Sequence, residues 1–145
     1  DRTLFLSSYA IKLLENLVRY SESPYVFTSN QGTHLSNDAM RVFIDGLHQK
    51  KLEEDGTGWI DPHMSAERGK PCRITVHGTA RSTFKTWAKD DELGNNRLFD
   101  QEAVELCMLH GKKDAYQGAY DRARLPKERK RIMEAWGKYC YSLVK

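Results

Sequence analysis

The sequence predicts a mainly α fold with at most a small β-sheet. Apolar residues recur at helical spacing in several separate segments, and Ser, Pro and Gly stand where such segments begin and end. Between them lie loops that leave room for little more than a small sheet. At 145 residues, with 39% hydrophobic and 30% charged, the chain is expected to form a single domain, 1–145, with a core of its own.

The first helix is expected from Ser8 to Tyr20, because Ala10, Leu14, Leu17 and Val18 fall on one face and Ser7 or Ser8 supplies a cap. Ser21-Glu22-Ser23-Pro24 ends it, and Tyr25-Val26-Phe27 reads as a short extended piece tucked into the core. A second helix is expected to start at Ser36, with Met40, Phe43, Ile44 and Leu47 facing inward. From Gln49 to about Arg73, charges, glycines, Pro62 and Pro71 read as a long loop pinned in the middle by Trp59 and Ile60. Helical spacing returns at His77, with Ala80, Phe84, Trp87 and Ala88 on one face. Gln101 to His110 forms the next helix, with Ala103, Leu106 and Cys107 inward, and a short helix spans Asp114 to Arg122. The last runs from Pro126 to about Leu143, with Pro126 at the favoured first-turn position and Ile132, Trp136, Tyr139, Cys140 and Leu143 as its stripe.

The longest apolar run falls well short of the roughly eighteen residues that a spanning helix needs, so no membrane contact is expected. The opening residues lack the layout of a signal peptide and an initiator Met, so the sequence is expected to begin inside a longer protein. Three widely spaced cysteines, Cys72, Cys107 and Cys140, argue against a disulfide framework or a metal site and favour a reducing cytoplasm. Cys107 and Cys140 lie in apolar helical patterns and read as small core residues. The net charge of +3 points only weakly to an anionic partner.

His77, Arg81 and Lys85 are spaced i, i+4, i+8 and so project from one side of their helix. A histidine, a guanidinium and the amides of a helix start make a receptor for phosphate, although the same spacing also describes a solvated helix face. Alone, His110 fits a core histidine and Tyr120 a packing tyrosine with a wet hydroxyl.

Their order gives them meaning. The stretch Ile74-Thr75-Val76-His77-Gly78-Thr79-Ala80-Arg81-Ser82-Thr83-Phe84-Lys85-Thr86-Trp87-Ala88 resembles the histidine-arginine box of tyrosine recombinases of the phage and genomic-island integrase type. Glu105-Leu106-Cys107-Met108-Leu109-His110-Gly111 is similar to that family's later histidine motif, and Ala119-Tyr120-Asp121-Arg122 to its nucleophile motif. Met133-Glu134-Ala135-Trp136 resembles its closing helix. Leu4-Phe5-Leu6-Ser7, Ala10 to Leu14 and Pro24-Tyr25-Val26-Phe27 are similar to the segment that precedes the box. Two departures stand out. Three residues rather than two separate His77 from Arg81, and the family's earlier arginine and β-hairpin lysine are expected upstream of Asp1.

The resemblance implies the C-terminal part of a helical recombinase catalytic domain, with the N-terminal DNA-binding domains and the first part of the catalytic domain lying upstream. It implies integration or excision of a prophage or genomic island through a 3′-phosphotyrosyl intermediate, with Tyr120 as nucleophile. Arg81 and His110 would hold the scissile phosphate and His77 would act as acid or base. Lys85, Arg122, Arg124 and Lys127 would contact DNA, together with the rest of the basic stretch, Arg129, Lys130 and Arg131. The partners implied are double-stranded attachment sites and three further copies in a homotetramer, with neither cofactor nor metal. The fragment alone is expected to be impaired or inactive. A helical DNA-binding domain that keeps the fold without the chemistry is the alternative, and a helical interaction module without a DNA role is a third reading.

Overall fold

The computed structural model describes residues 3–17, 22–109 and 125–144. Among the described residues the fold is mainly α, 59% helical with 3% strand and no sheet, as the spacing of apolar residues predicts. Contacts cluster into two compact units, Asp1–Leu17 with Phe84–Lys145, and Val18–Thr83. Among the described residues, no helix is long and apolar enough to cross a membrane.

The first unit holds the core. Helix α1, Ser8–Glu15, begins where the Ser7 hydroxyl accepts the Ala10 amide at 3.1 Å, which satisfies a first-turn donor. Further along the unit, Phe84, Trp87 and Ala88 of α4 (Thr83–Ala88) meet Ala103, Val104 and Cys107 of α6 (Gln101–Cys107) and Ile132 of α7 (Pro126–Ser142). Asp100 caps α6 by accepting the Ala103 amide at 2.9 Å. Between α4 and α6 lies a one-turn helix, α5 (Asn95–Leu98), which the apolar spacing does not reveal. It is set by Gly94 in the left-handed region and by the buried Asn95 amide, which donates to the Trp87 carbonyl at 2.8 Å.

Helix α7 starts at Pro126 as expected and packs against both α1 and α6. Trp136 lies 5.0 Å from Trp87 and edge-on to Phe84 at 5.5 Å, so three aromatic rings lock α4 to α7. Leu143, expected on the buried stripe, is 67% exposed, because the helix has ended at Ser142. Cys107 is buried and Cys140 half-buried, and burial raises the pKa of both thiols. At Gly137 α7 comes so close to α1 that an added Cβ would stand 2.3 Å from the Ser7 hydroxyl oxygen.

The second unit departs further from expectation. Helix α2 spans Ala39–Asp55, starting three residues after Ser36, whose carbonyl accepts the Ala39 amide at 3.1 Å. It runs on through the charges read as loop, since Lys50 pairs with Glu54 and Lys51 with Asp55 along its surface, as Arg41 does with Asp38 and Asp45 nearer its start. Gly56, at φ 76°, stops it. A short helix, α3 (Pro62–Arg68), follows with Asp61 as its cap, so the expected long loop is two helical segments with a short connection.

Of the residues expected to face inward from α2, only Ile44 is buried, while Met40, Phe43 and Leu47 are exposed. Tyr25, Val26 and Phe27 are also exposed rather than tucked into a core. Trp59 is held through its backbone: its N–H donates to His48 Nδ1 at 2.9 Å, and the Lys51 ammonium lies 5.0 Å over its ring. Two isolated antiparallel bridges, Thr28 with His34 and Ile60 with Arg73, are the extended pairings among the described residues.

Candidate active site

Thr75 organises the turn that carries His77 and Arg81. Its hydroxyl accepts the Gly78 amide at 3.1 Å and its carbonyl accepts the Thr79 amide at 2.9 Å. The chain then forms a single π-helical turn, Gly78–Ser82, before the α-helical turns of α4. The Thr83 amide reaches back to the Gly78 carbonyl across this wider ring, and the Thr83 hydroxyl donates to the same oxygen at 2.6 Å. Such turns occur mostly singly and often at functional sites.

The π turn has two consequences. Regular 3.6-residue spacing is interrupted between Ala80 and Phe84, so Ala80 is exposed while Phe84, Trp87 and Ala88 remain in the core. Two amides expected to receive phosphate are also already bonded to Thr75. His77 and Arg81 both sit at the surface of this turn. The Asp61 carboxylate lies close by: one oxygen is 3.4 Å from where a Cβ on Gly78 would stand.

Lys85 is half-buried, and its ammonium is 2.6 Å from Glu105 on α6. That ion pair offsets the charge expected to meet DNA. The basic start of α7 divides in the same way. Lys127 and Lys130 are exposed, whereas Arg129 is 4% exposed, stacks 4.8 Å from the Phe5 ring and donates to the Thr3 carbonyl. Arg131 pairs with Glu128 and donates to the Leu98 carbonyl at 2.6 Å. Through their hydrogen bond the Glu128 carboxylate raises the pKa of Arg131 and the Arg131 guanidinium lowers that of Glu128.

Tyr120, His110, Arg122 and Arg124 lie outside the described residues, as does the helix expected from Asp114 to Arg122. Sequence reasoning missed Thr75 and Glu105. Thr75 had a signal, since a threonine three residues before Gly78 has the spacing of a helix cap. Glu105 had none, because its partner lies twenty residues away in sequence. Comparison with protein-family models, curated proteins and solved structures finds no match to this chain.

Proposed function

We propose that this chain is the C-terminal part of a tyrosine site-specific recombinase that cleaves and rejoins DNA. The observation that carries the proposal is the ordered succession of His77, Arg81, His110 and Tyr120 within their quoted motifs, on a mainly α chain. The exposure of both His77 and Arg81 on one turn supports it, because a residue that binds phosphate must reach solvent.

In the proposed reaction the Tyr120 hydroxyl attacks the scissile phosphorus, a phosphorus–oxygen bond forms, and the 5′-oxygen leaves as a hydroxyl. The equivalent 5′-hydroxyl released from the partner strand then attacks the phosphotyrosine, forming the new phosphodiester and releasing the tyrosine. The phosphodiester is exchanged at each step, so no external energy source is required. The Arg81 guanidinium binds the non-bridging oxygens and offsets the charge of the pentacovalent transition state. His77 moves a proton to or from the reacting oxygens, and His110 donates to a phosphate oxygen. An ordinary tyrosine titrates near about 10, so cations beside it are what favour the phenolate. Duplex DNA is the partner, with four copies acting on two paired sites, and Lys127 contributes backbone contacts.

The test is nicked-duplex trapping by the intact protein. Arg81→Ala is expected to lower the yield of covalent adduct by about a hundredfold or more, and Arg81→Lys to restore little of it. Full adduct formation by Arg81→Ala contradicts the assignment. A second reading, a DNA-binding domain without chemistry, is favoured by the tie of Lys85 to Glu105 and of two turn amides to Thr75. Under that reading duplex binding persists and no adduct forms.

A further inference from the structure

The second unit contains a concavity of about 850 Å³, open to solvent, between the C-terminal half of α2 and the segment that follows α3. Its floor is apolar: Leu52 comes from α2, Ile60 from the bridge with Arg73, and Pro71 from the turn after Gly69. Its rim is basic, carrying His48, Lys70 and Arg73, with no carboxylate among the described lining residues. Arg73 also pairs with Asp45 through one guanidinium nitrogen.

His48 is oriented by the fold. Its Nδ1 lies 2.9 Å from the Trp59 backbone nitrogen and 3.0 Å from the Trp59 carbonyl oxygen, so the ring is anchored to that backbone through its Nδ1 side. The approach is tight enough to require glycine at position 58. A Cβ there would stand 2.5 Å from His48 Cε1, and the backbone is left-handed at φ 65°. The imidazole is therefore fixed against the wall of the concavity.

An apolar surface beside several cationic donors suits a nucleotide, with the base on the apolar side chains and the phosphate at the cations. We propose that this concavity binds a single nucleotide, base on Leu52, Ile60 and Pro71, phosphate on Lys70 and Arg73 beside the His48 ring. None of its lining residues is His77 or Arg81, and it does not depend on recombinase chemistry. The nucleotide is either free or part of a single strand, and the chemistry of recognition is the same for both.

The test uses the whole 145-residue chain, isotope-labelled, with backbone amide shifts followed by NMR. It is titrated in turn with 5′-dAMP, deoxyadenosine, inorganic phosphate and a short oligo(dA). Saturable shifts at His48, Ile60, Lys70 and Arg73 with 5′-dAMP are expected, with deoxyadenosine and phosphate each about tenfold weaker or more. Tighter binding of oligo(dA) at the same residues identifies a strand as the source, and equal binding identifies a free nucleotide. Lys70→Glu, at an exposed position, is expected to weaken 5′-dAMP about tenfold, whereas Lys138→Glu, with the same change in charge, leaves it unaltered. The proposal is overturned by absence of saturable shifts, by shifts centred elsewhere, by phosphate alone matching 5′-dAMP, or by equal losses in the two variants.

Discussion

Arg129 shows how far a residue's burial can change its meaning. In the sequence it is one of several cations in a run that suggests a DNA-facing surface. In the fold its guanidinium packs on Phe5 and donates to the Thr3 carbonyl, tying the chain's opening residues to α7. Arg129→Ala is therefore expected to destabilise by about 2–4 kcal/mol, through lost packing and a broken buried bond, with the salt dependence of DNA binding unchanged. Lys127→Ala and Lys130→Ala are expected to do the reverse, each lowering the slope of log affinity against log salt by about one with stability unaltered. Thermal melts and binding titrations at several salt concentrations separate the two. An Arg129→Ala protein that kept its stability and lost salt dependence would reverse these roles. The one-letter pattern cannot make this distinction, because it depends on Phe5 and Thr3, more than a hundred residues away in sequence.

At the scale of elements, local signals were legible and the long-range ones were not. The starts of α1, α6 and α7 follow from Ser7, from Asp100 and from Pro126, because caps act within one turn. The charge-rich second half of α2 looks like loop in the sequence, although its opposite charges stand three or four residues apart. The last of these pairs makes a prediction. The Asp55 carboxyl is pulled down to about 2, first by the Lys51 ammonium and then by Thr57. A depressed carboxyl stabilises the fold above its unfolded value and loses that contribution as pH falls through about 2. Lys51→Ala is expected to move the NMR titration of Asp55 back toward the ordinary carboxylate range; an unmoved midpoint would remove Lys51 as the cause. Between α1 and α7, Gly137→Ala forces a Cβ into Ser7 and is expected to cost about 1–3 kcal/mol in a denaturant melt. The π turn at Gly78–Ser82 had no periodic signature, since it is an interruption of one, and it is what leaves Ala80 at the surface.

On the scale of the whole molecule, the core belongs to one unit, where Phe84, Trp87 and Phe99 meet α6 and α7. Trp87→Ala is expected to cost about 3–5 kcal/mol and to abolish cooperative unfolding of that unit. The proposed chemistry draws on His77, Arg81, His110 and Tyr120. Its central claim is that Tyr120 forms the covalent bond to DNA. The direct measurement incubates the intact protein with nicked duplexes bearing the ends of the DNA element that encodes it, then maps the cross-linked peptide by mass spectrometry. The account predicts a 3′-phosphotyrosyl adduct on Tyr120 that Tyr120→Phe eliminates. An adduct that survives Tyr120→Phe, or that is lost instead in Tyr116→Phe, would contradict it.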